Sequence, residues 1–385
     1  MPLVGLSLDA SADFRQDPRA KNAGLFAALD RRYGVEAVLR PELPPIVDAL
    51  HRARAFDPVR GAWRSKYNLD PGTFRARSRV AGRLLDRHAP DALVVQLHTL
   101  VSPGVDPEAR RFVLHTDNTY RLSQRGWPRW APLHGRLGRE RLAQEGSVFR
   151  AAAYLFPRSE WLRRSMIEDY GCDPSKVVVV GGGANLVAAA LPATRRWDGR
   201  AALFVGLDFE RKGGHVLLEA WRDVRRALPD ARLSIATSDP PPGRLPEGVS
   251  WLGHIRDRSV LEALYRDSSV FVMPSLFEPW GHVFYEAMGN GLPCVAARAC
   301  AMPEIVRDGV DGRLVPPGDV PALADAMVAL LDDPSLAERM GRAAHAHTVG
   351  GRGWDDVVAR MAPHLERLGV QPTAGTDALI RSGRP

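Results

Sequence analysis

The sequence has no run of about 18 apolar residues, the length that a helix needs to cross the hydrocarbon core of a membrane. Its first ten residues also lack the basic and long apolar regions of a secretory signal. Cysteine is scarce, and Cys172, Cys294 and Cys300 do not have the spacing of a metal site. These absences predict a cytoplasmic protein whose cysteines are reduced and structural.

The chain also lacks the fingerprints of nucleic-acid binding, although its net charge of +7 suggests an anionic partner. No zinc finger, basic zipper or RNA-binding signature is present, and the arginines are spread along the chain rather than gathered in one block. We therefore predict no nucleic-acid partner. A peripheral contact with anionic lipid headgroups, or binding of an anionic substrate, fits the same charge.

The 385 residues are enough for two domains of ordinary size. Short apolar runs alternate with helical segments in both halves, which predicts parallel α/β layers with ligands at the carboxyl ends of the strands. Among the elements, we expect residues 56–72 to be irregular, residues 177–180 to form a strand, and residues 187–199 to link the domains.

The stretch Val270–Pro293 reads as a buried strand, a loop and a helix, and it carries two carboxylates. Glu278 lies in the loop, and Glu286 follows in the helix after seven intervening residues. A helix N-terminus after a parallel strand suits a phosphate, and Gly281 lets a ligand approach the backbone closely. A carboxylate repels a phosphate, so the two glutamates are predicted to have another role. An ionised carboxylate only accepts hydrogen bonds, and sugar hydroxyls can donate them.

This stretch resembles the E-x7-E signature of family 4 retaining glycosyltransferases, which have the GT-B fold. Residues 249–254 (V-S-W-L-G-H) and 303–319 (P-E-I-V-R-D-G-V-D-G-R-L-V-P-P-G-D) resemble flanking family segments, so the similarity covers about half of the chain. The resemblance implies two Rossmann-like domains facing a cleft. An acceptor-side domain would span residues 1–186, with residues 353–370 crossing back to it as a helix. A nucleotide-sugar-binding domain would span residues 200–350, and residues 371–385 read as a disordered tail.

The resemblance also implies roles for residues of the second domain. Lys212 matches the family lysine that stabilises the leaving diphosphate, but Leu207 stands where the family has an arginine. We predict that Arg211 compensates. Glu278 would hold sugar hydroxyls and Glu286 the ribose diol. The backbone around the helix start would contact phosphate, at Gly281, His282 and Val283.

In the first domain, the resemblance points to His115, which follows a strand in F-V-L-H-T-D-N-T and matches a family histidine near the reacting sugar. Asp117 is predicted to contact the acceptor. His98 also ends a strand, but the resemblance gives it little support. Many family members have a glycine-rich loop after the first strand. This chain departs from that pattern, because residues 7–24 contain a single glycine, Gly24.

The implied reaction is sugar transfer from a nucleotide-diphosphate-sugar donor to a small-molecule, glycan or lipid-linked acceptor, with retention at the anomeric carbon. The donor would be a substrate, so no cofactor is predicted. No metal is predicted either, because the chain contains no Asp-x-Asp pair, the usual metal–diphosphate holder of the other glycosyltransferase fold. Two alternatives remain open at this point: a sugar-nucleotide epimerase of the same fold, and a non-catalytic carbohydrate or lipid-surface binder.

Overall fold

The computed structural model describes residues 1–9, 14–15, 22–185 and 190–373. It divides into a first unit, Met1–Gly183 with the chain from Trp354 onward, and a second unit, Ala184–Gly353. Most of the predicted tail, residues 374–385, and part of the predicted linker, residues 186–189, lie outside the described residues. No described helix is both long and apolar enough to cross a membrane.

The first unit is built on a five-stranded parallel sheet in the order β2-β1-β3-β4-β5. Its elements are β1 (Leu3–Leu6), α1 (Ala23–Tyr33), β2 (Val38–Leu39), α2 (Pro45–Arg54), α3 (Arg60–Leu69), α4 (Pro71–His88), β3 (Leu93–Leu97), β4 (Phe112–Thr116), α5 (Tyr120–Gly126), α6 (Gly135–Ala151), β5 (Tyr154–Pro157), α7 (Glu160–Tyr170) and α14 (Trp354–Arg367). Strands β1, β3 and β4 are buried along their whole length, as expected for a sheet covered on both faces.

Helix α14 returns to the first unit and packs against α1. Its buried positions recur at helical spacing, from Val357 to Met361 and Leu365, and they join the core on one face of the sheet. Trp354 fits between two glycines, because a Cβ at Gly24 would lie 2.1 Å from its ring and one at Gly183 would lie 2.4 Å from it. The apolar period of the C-terminal segment therefore correctly predicts a core helix.

The second unit contains a six-stranded parallel sheet in the order β11-β10-β9-β6-β7-β8. Its elements are β6 (Ala201–Val205), α8 (Gly214–Ala227), β7 (Arg232–Ala236), β8 (Val249–Gly253), α9 (Arg258–Asp267), β9 (Val270–Met273), α10 (His282–Gly289), β10 (Cys294–Ala297), α11 (Met302–Ile305), β11 (Gly312–Val315), α12 (Val320–Asp332) and α13 (Pro334–Val349). Strands β9 and β10 are completely buried in its core.

Two local predictions are wrong. Part of the segment expected to be irregular forms α3, whose C-terminus is followed by Asp70 and Pro71, the cap and first residue of α4. Residues 177–180 run beside β5, and the N–H groups of Val178 and Val180 donate to the carbonyl oxygens of Leu155 and Pro157 at 2.9 and 3.0 Å. They count as one isolated bridge, between Val177 and Leu155, rather than as a strand. A run of valines can therefore lie along a strand, and bond to it, without forming a regular strand of its own.

Candidate functional site

In the second unit, two glycines shape the place where Lys212 lies. A Cβ at Gly206 would come within 2.2 Å of the Lys212 side chain, so this glycine makes room for the lysine stem. Gly213 has a φ of +74°, and a Cβ there would lie 2.0 Å from the carbonyl oxygen of Pro274. Both positions therefore need glycine, and together they bring the loop after β6 against the loop after β9.

Glu278 lies where these two loops meet, and two cations contact the same oxygen of its carboxylate. Its Oε2 lies 2.8 Å from Lys212 Nζ and 3.2 Å from Arg211 Nη1. Burial raises the pKa of this carboxyl, but the adjacent lysine and arginine outweigh burial and hold the pKa below its usual value. Glu278 is therefore an ionised acceptor inside the protein.

Arg211 is itself fixed by neighbours on both loops. Its Nη1 donates to the carbonyl oxygen of Phe277 at 2.6 Å, and its Nε donates to Asp208 Oδ2 at 3.1 Å. Its side chain is 7% exposed, whereas Leu207, at the position where the resemblance expects an arginine, is 61% exposed. The structure thus brings Arg211, Lys212 and Glu278 together. Whether Arg211 takes over the role of the missing arginine stays a prediction.

Helix α10 begins directly after this loop, with Gly281 as its N-cap. A Cβ at Gly281 would lie 2.6 Å from the ring of Phe284, so a side chain would disturb the first turn. His282 is buried and Val283 is half-buried in that turn. The first N–H groups of an α-helix have no acceptor within the helix, so this turn offers donors and a partial positive charge.

Glu286 lies on α10, half-buried, and accepts a hydrogen bond from the hydroxyl of Tyr265 at 3.2 Å. Burial raises the pKa of its carboxyl to about 7, against the opposite influence of Tyr265, Arg258 and Lys212. Sequence reasoning missed Tyr265. Its place in the apolar period of α9 predicts only a core residue, and nothing local to it indicates that its hydroxyl meets the second glutamate.

In the first unit, His115 lies at the end of β4 and is completely buried. Its Nδ1 lies 2.8 Å from the carbonyl oxygen of Phe156, and its Nε2 lies 3.1 Å from Arg158 Nε. The carbonyl and the guanidinium require Nδ1 to carry the proton and Nε2 to accept, and burial together with Arg158 lowers the pKa of this histidine well below its ordinary value. In these contacts His115 is neutral and both ring nitrogens are engaged, so its predicted contact with a reacting sugar stays a prediction.

His98, by contrast, borders a cavity of about 290 Å³ at the carboxyl ends of β3 and β4. Its Nδ1 lies 3.6 Å from Asp117 Oδ1, and Asp117 also lies 3.5 Å from Arg158 Nη1. Asp117, which is predicted to contact the acceptor, therefore lines this cavity together with His98. The family resemblance favours His115 over His98. Arg158 joins Asp117 to His115, and its full burial could not be read from the sequence.

The wall of this cavity is rich in hydroxyl and amide groups, which come from several helices and loops: Ser65, Asn68, Thr99, Thr116, Asn118, Thr119 and Ser123. Arg141 and Glu145 also line it, and both are almost completely buried. Arg141 Nη2 donates to the carbonyl oxygen of Thr99 at 2.8 Å, while its Nε and Nη1 have no hydrogen-bond partner among the described residues. The cavity thus offers neutral donors and acceptors, the carboxylate of Asp117, and the buried guanidinium of Arg141, which lies 3.4 Å from Glu145 Oε1.

Solved structures similar to this chain define its class of fold. It aligns with sucrose-phosphate synthase from Thermosynechococcus elongatus at a TM-score of 0.69 and 17% identity, over 96% of this chain and 99% of that one. The Anabaena protein HepE, solved with UDP and glucose, aligns at a TM-score of 0.62 and 16% identity, over 95% of this chain and 100% of that one. The predicted GT-B fold is therefore confirmed.

Comparison with protein families gives the particular group. Residues 199–333 match the family described as glycosyl transferases group 1. The phosphatidyl-myo-inositol mannosyltransferase of Mycobacterium leprae is 35% identical over 58% of this chain and 61% of its own length. The D-inositol 3-phosphate glycosyltransferase of Kribbella flavida is 32% identical over 56% of each chain. The second unit carries the group 1 glycosyl transferase domain, which confirms the resemblance, and the chain spans about three fifths of the length of these relatives.

Proposed function

We propose that this chain is a retaining glycosyltransferase that moves a sugar from a nucleotide-diphosphate-sugar donor to an acceptor hydroxyl. The observation that carries the proposal is the contact of Lys212 and Arg211 with Glu278, directly before the N-terminus of α10. Cations, helix N–H groups and an ionised acceptor in one place match the three parts of such a donor: diphosphate, leaving oxygen and sugar hydroxyls.

In the proposed reaction, the bond between the anomeric carbon and the diphosphate oxygen breaks, and the acceptor oxygen forms a bond to the same face of that carbon. The departing diphosphate keeps the bonding electron pair, and the proton of the acceptor hydroxyl passes to an oxygen of that diphosphate. Lys212 and the first-turn N–H groups at His282 and Val283 stabilise the charge that grows on the diphosphate. Glu278 and Glu286 accept hydrogen bonds from the sugar and the ribose respectively.

For the acceptor, we propose a hydroxyl-bearing ring in the cavity beside His98 and Asp117. The hydroxyl and amide side chains around that cavity suit a polyol, whose hydroxyls both donate and accept. Two relatives are named for inositol, which is a ring that carries hydroxyls: a phosphatidyl-myo-inositol mannosyltransferase and a D-inositol 3-phosphate glycosyltransferase. Their names support this choice. Small-molecule, glycan and lipid-linked acceptors all fit this description.

The proposal is tested by incubating the full chain with UDP-, GDP- and ADP-sugars without any acceptor. We expect stabilisation against heat by one nucleotide class, by about 2.7 kcal/mol at 100 times its dissociation constant. Slow release of the nucleoside diphosphate, lost in a Lys212→Ala variant and kept in a Lys176→Ala variant, should accompany it. Conversion of the donor into its epimer would instead indicate an isomerase. Binding without release or transfer would indicate a non-catalytic carbohydrate binder.

A further inference from the structure

Helix α2 differs from an ordinary surface helix because it buries none of its residues. A helix on a globular protein normally turns an apolar stripe toward the core. Here the large apolar side chains of α2 and of the loop after it face solvent, with exposed fractions of 78% for Ile46, 36% for Val47, 66% for Leu50, 66% for Phe56 and 65% for Val59. We call these five residues the apolar patch. An exposed cluster of this kind marks an interaction surface more often than scattered single residues do.

The apolar patch is held by specific contacts rather than by core packing. Ile46 and Leu50 are four residues apart and share one face of α2. Phe56 meets the ring of Trp63 edge-on, with the ring centroids 5.9 Å apart, and Trp63 Nε1 donates to the carbonyl oxygen of Arg52 at 2.8 Å. The loop after α2 is thereby tied to both α2 and α3.

The charge around the patch is positive. Residues 40–66 contain six basic and three acidic residues, which is a net charge of +3. Each of the three acids is in an ion pair, Glu42 with Arg40, Asp48 with Arg52 and Asp57 with Lys66. Within the part of the chain that the structure describes, Arg54 and Arg64 are exposed and make no ion pair. The surface is therefore complementary to an anionic one.

The inner side of the same helix borders a second cavity, of about 730 Å³, which Asp48 and Arg52 of α2 line together with His98. The ring of Tyr67 lies between two guanidiniums there, 4.7 Å from that of Arg52 and 4.8 Å from that of Arg77. Arg77 is buried, and its Nη1 has no hydrogen-bond partner in the described part of the chain. His98 also lines the smaller cavity described above, so the cavity behind α2 adjoins the proposed acceptor cavity at this histidine.

We propose that the apolar patch inserts into the interface of an anionic lipid bilayer and places the cavity behind α2 at the level of the headgroups. Apolar side chains flanked by arginines are the composition of an interfacial helix, and arginine stems reach from apolar surroundings to anionic headgroups. A second copy of this chain is a poorer occupant, because pairing would bring two segments of charge +3 together. Only the part that concerns the acceptor rests on the proposed function.

The test is sedimentation of the full chain with vesicles of phosphatidylcholine alone, and of phosphatidylcholine mixed with phosphatidylglycerol. We expect binding to the mixed vesicles that weakens as salt is added. Ile46→Glu combined with Leu50→Glu should weaken that binding by about tenfold or more, since two apolar anchors become charges. Arg54→Ala and Arg64→Ala should each weaken it by about fivefold, and only on the anionic vesicles.

The matched control is Leu252→Glu combined with Val310→Glu, which charges two apolar residues of the second unit that are 41% and 49% exposed. This control should bind vesicles like the wild type. The proposal is overturned if both double variants bind alike, or if light scattering shows dimers that only the patch variant abolishes while vesicle binding is absent. All of these substitutions are at exposed positions, and a thermal melt checks that the variants fold.

The vesicle assay contains no donor, so its outcome is independent of sugar transfer. The patch variant should still release nucleoside diphosphate from a donor at the wild-type rate. If vesicles bind but no donor is ever cleaved, the proposed function fails and the membrane surface stands. If donor is cleaved but the patch variant binds vesicles as well as the wild type does, the membrane surface fails and the proposed function stands.

Discussion

The two units differ in how their candidate residues are assembled. In the second unit, Arg211, Lys212 and Glu278 come from two loops that follow neighbouring strands, and glycines with tight contacts hold those loops together. In the first unit, the cavity beside His98 and Asp117 is walled by side chains from several helices and loops. A site made by short loops leaves a local motif in the sequence, whereas a site made by distant elements does not.

The largest effect is expected at Lys212. Lys212→Ala should lower the rate of donor cleavage by about 10²–10³, because charge grows on the diphosphate as the bond breaks. Donor affinity should fall much less, since the lysine acts mainly in the transition state. Initial rates and calorimetric dissociation constants, measured on the same variant, separate the two effects. Equal losses in both would make Lys212 a binding residue, and Lys176→Ala serves as the control.

Arg211→Ala tests the second cation that contacts Glu278. Removing one member of a buried ion pair costs about 3–5 kcal/mol, and here Lys212 still pairs with Glu278, so we expect a value at or below the lower end of that range. Denaturant unfolding measures this cost, and donor cleavage by the folded variant shows whether Arg211 also replaces the arginine absent at Leu207. Unchanged cleavage would contradict that compensation.

The histidine pair sharpens the comparison within the first unit. His115→Ala removes the ring that accepts from Arg158 Nε and donates to the carbonyl of Phe156, so we expect a loss of about 1–3 kcal/mol in the free energy of unfolding. His98→Ala changes a half-buried residue that lines both cavities, and we expect little change in stability but weaker transfer to acceptor. Unfolding curves and acceptor-dependent rates are compared for the two variants. A stable His115→Ala protein with a large loss of transfer would instead support the role that the family resemblance gives His115.

The smallest effect is a pH dependence at Glu286, whose pKa burial raises to about 7. A carboxyl with a raised folded-state pKa favours the folded state below its unfolded pKa, and that contribution is lost as the pH rises through 7. Relative to Glu286→Gln, the wild type should therefore lose about 2 kcal/mol of unfolding free energy between pH 4.5 and pH 7. Denaturant melts of both proteins across this pH range check the prediction. If the unfolding free energies of the two proteins change with pH in parallel, the prediction is wrong and Glu286 is more solvated than the structure indicates.

The sequence predicted the second unit well, for physical reasons. A buried apolar run, a glycine and an amphipathic segment are local signals, and they correctly predicted β9 and α10 with both glutamates in place. Helix α3 was missed because it is only ten residues long and strongly polar, so it has few apolar positions from which to predict a helix. The burial of His115 could not be predicted, because it depends on Arg158, 43 residues away, and on Trp354 of the C-terminal helix.

The claim that the second unit binds the donor nucleotide is tested most directly by hydrogen exchange of the full chain, measured with and without UDP or GDP. If the second unit binds the donor, the nucleotide should slow exchange in residues 206–214 and 274–290, the loops that carry Lys212 and Glu278 and the start of α10. Residues 98–119 of the first unit should exchange as before. Protection confined to residues 98–119, with none in the two loops of the second unit, would contradict the account.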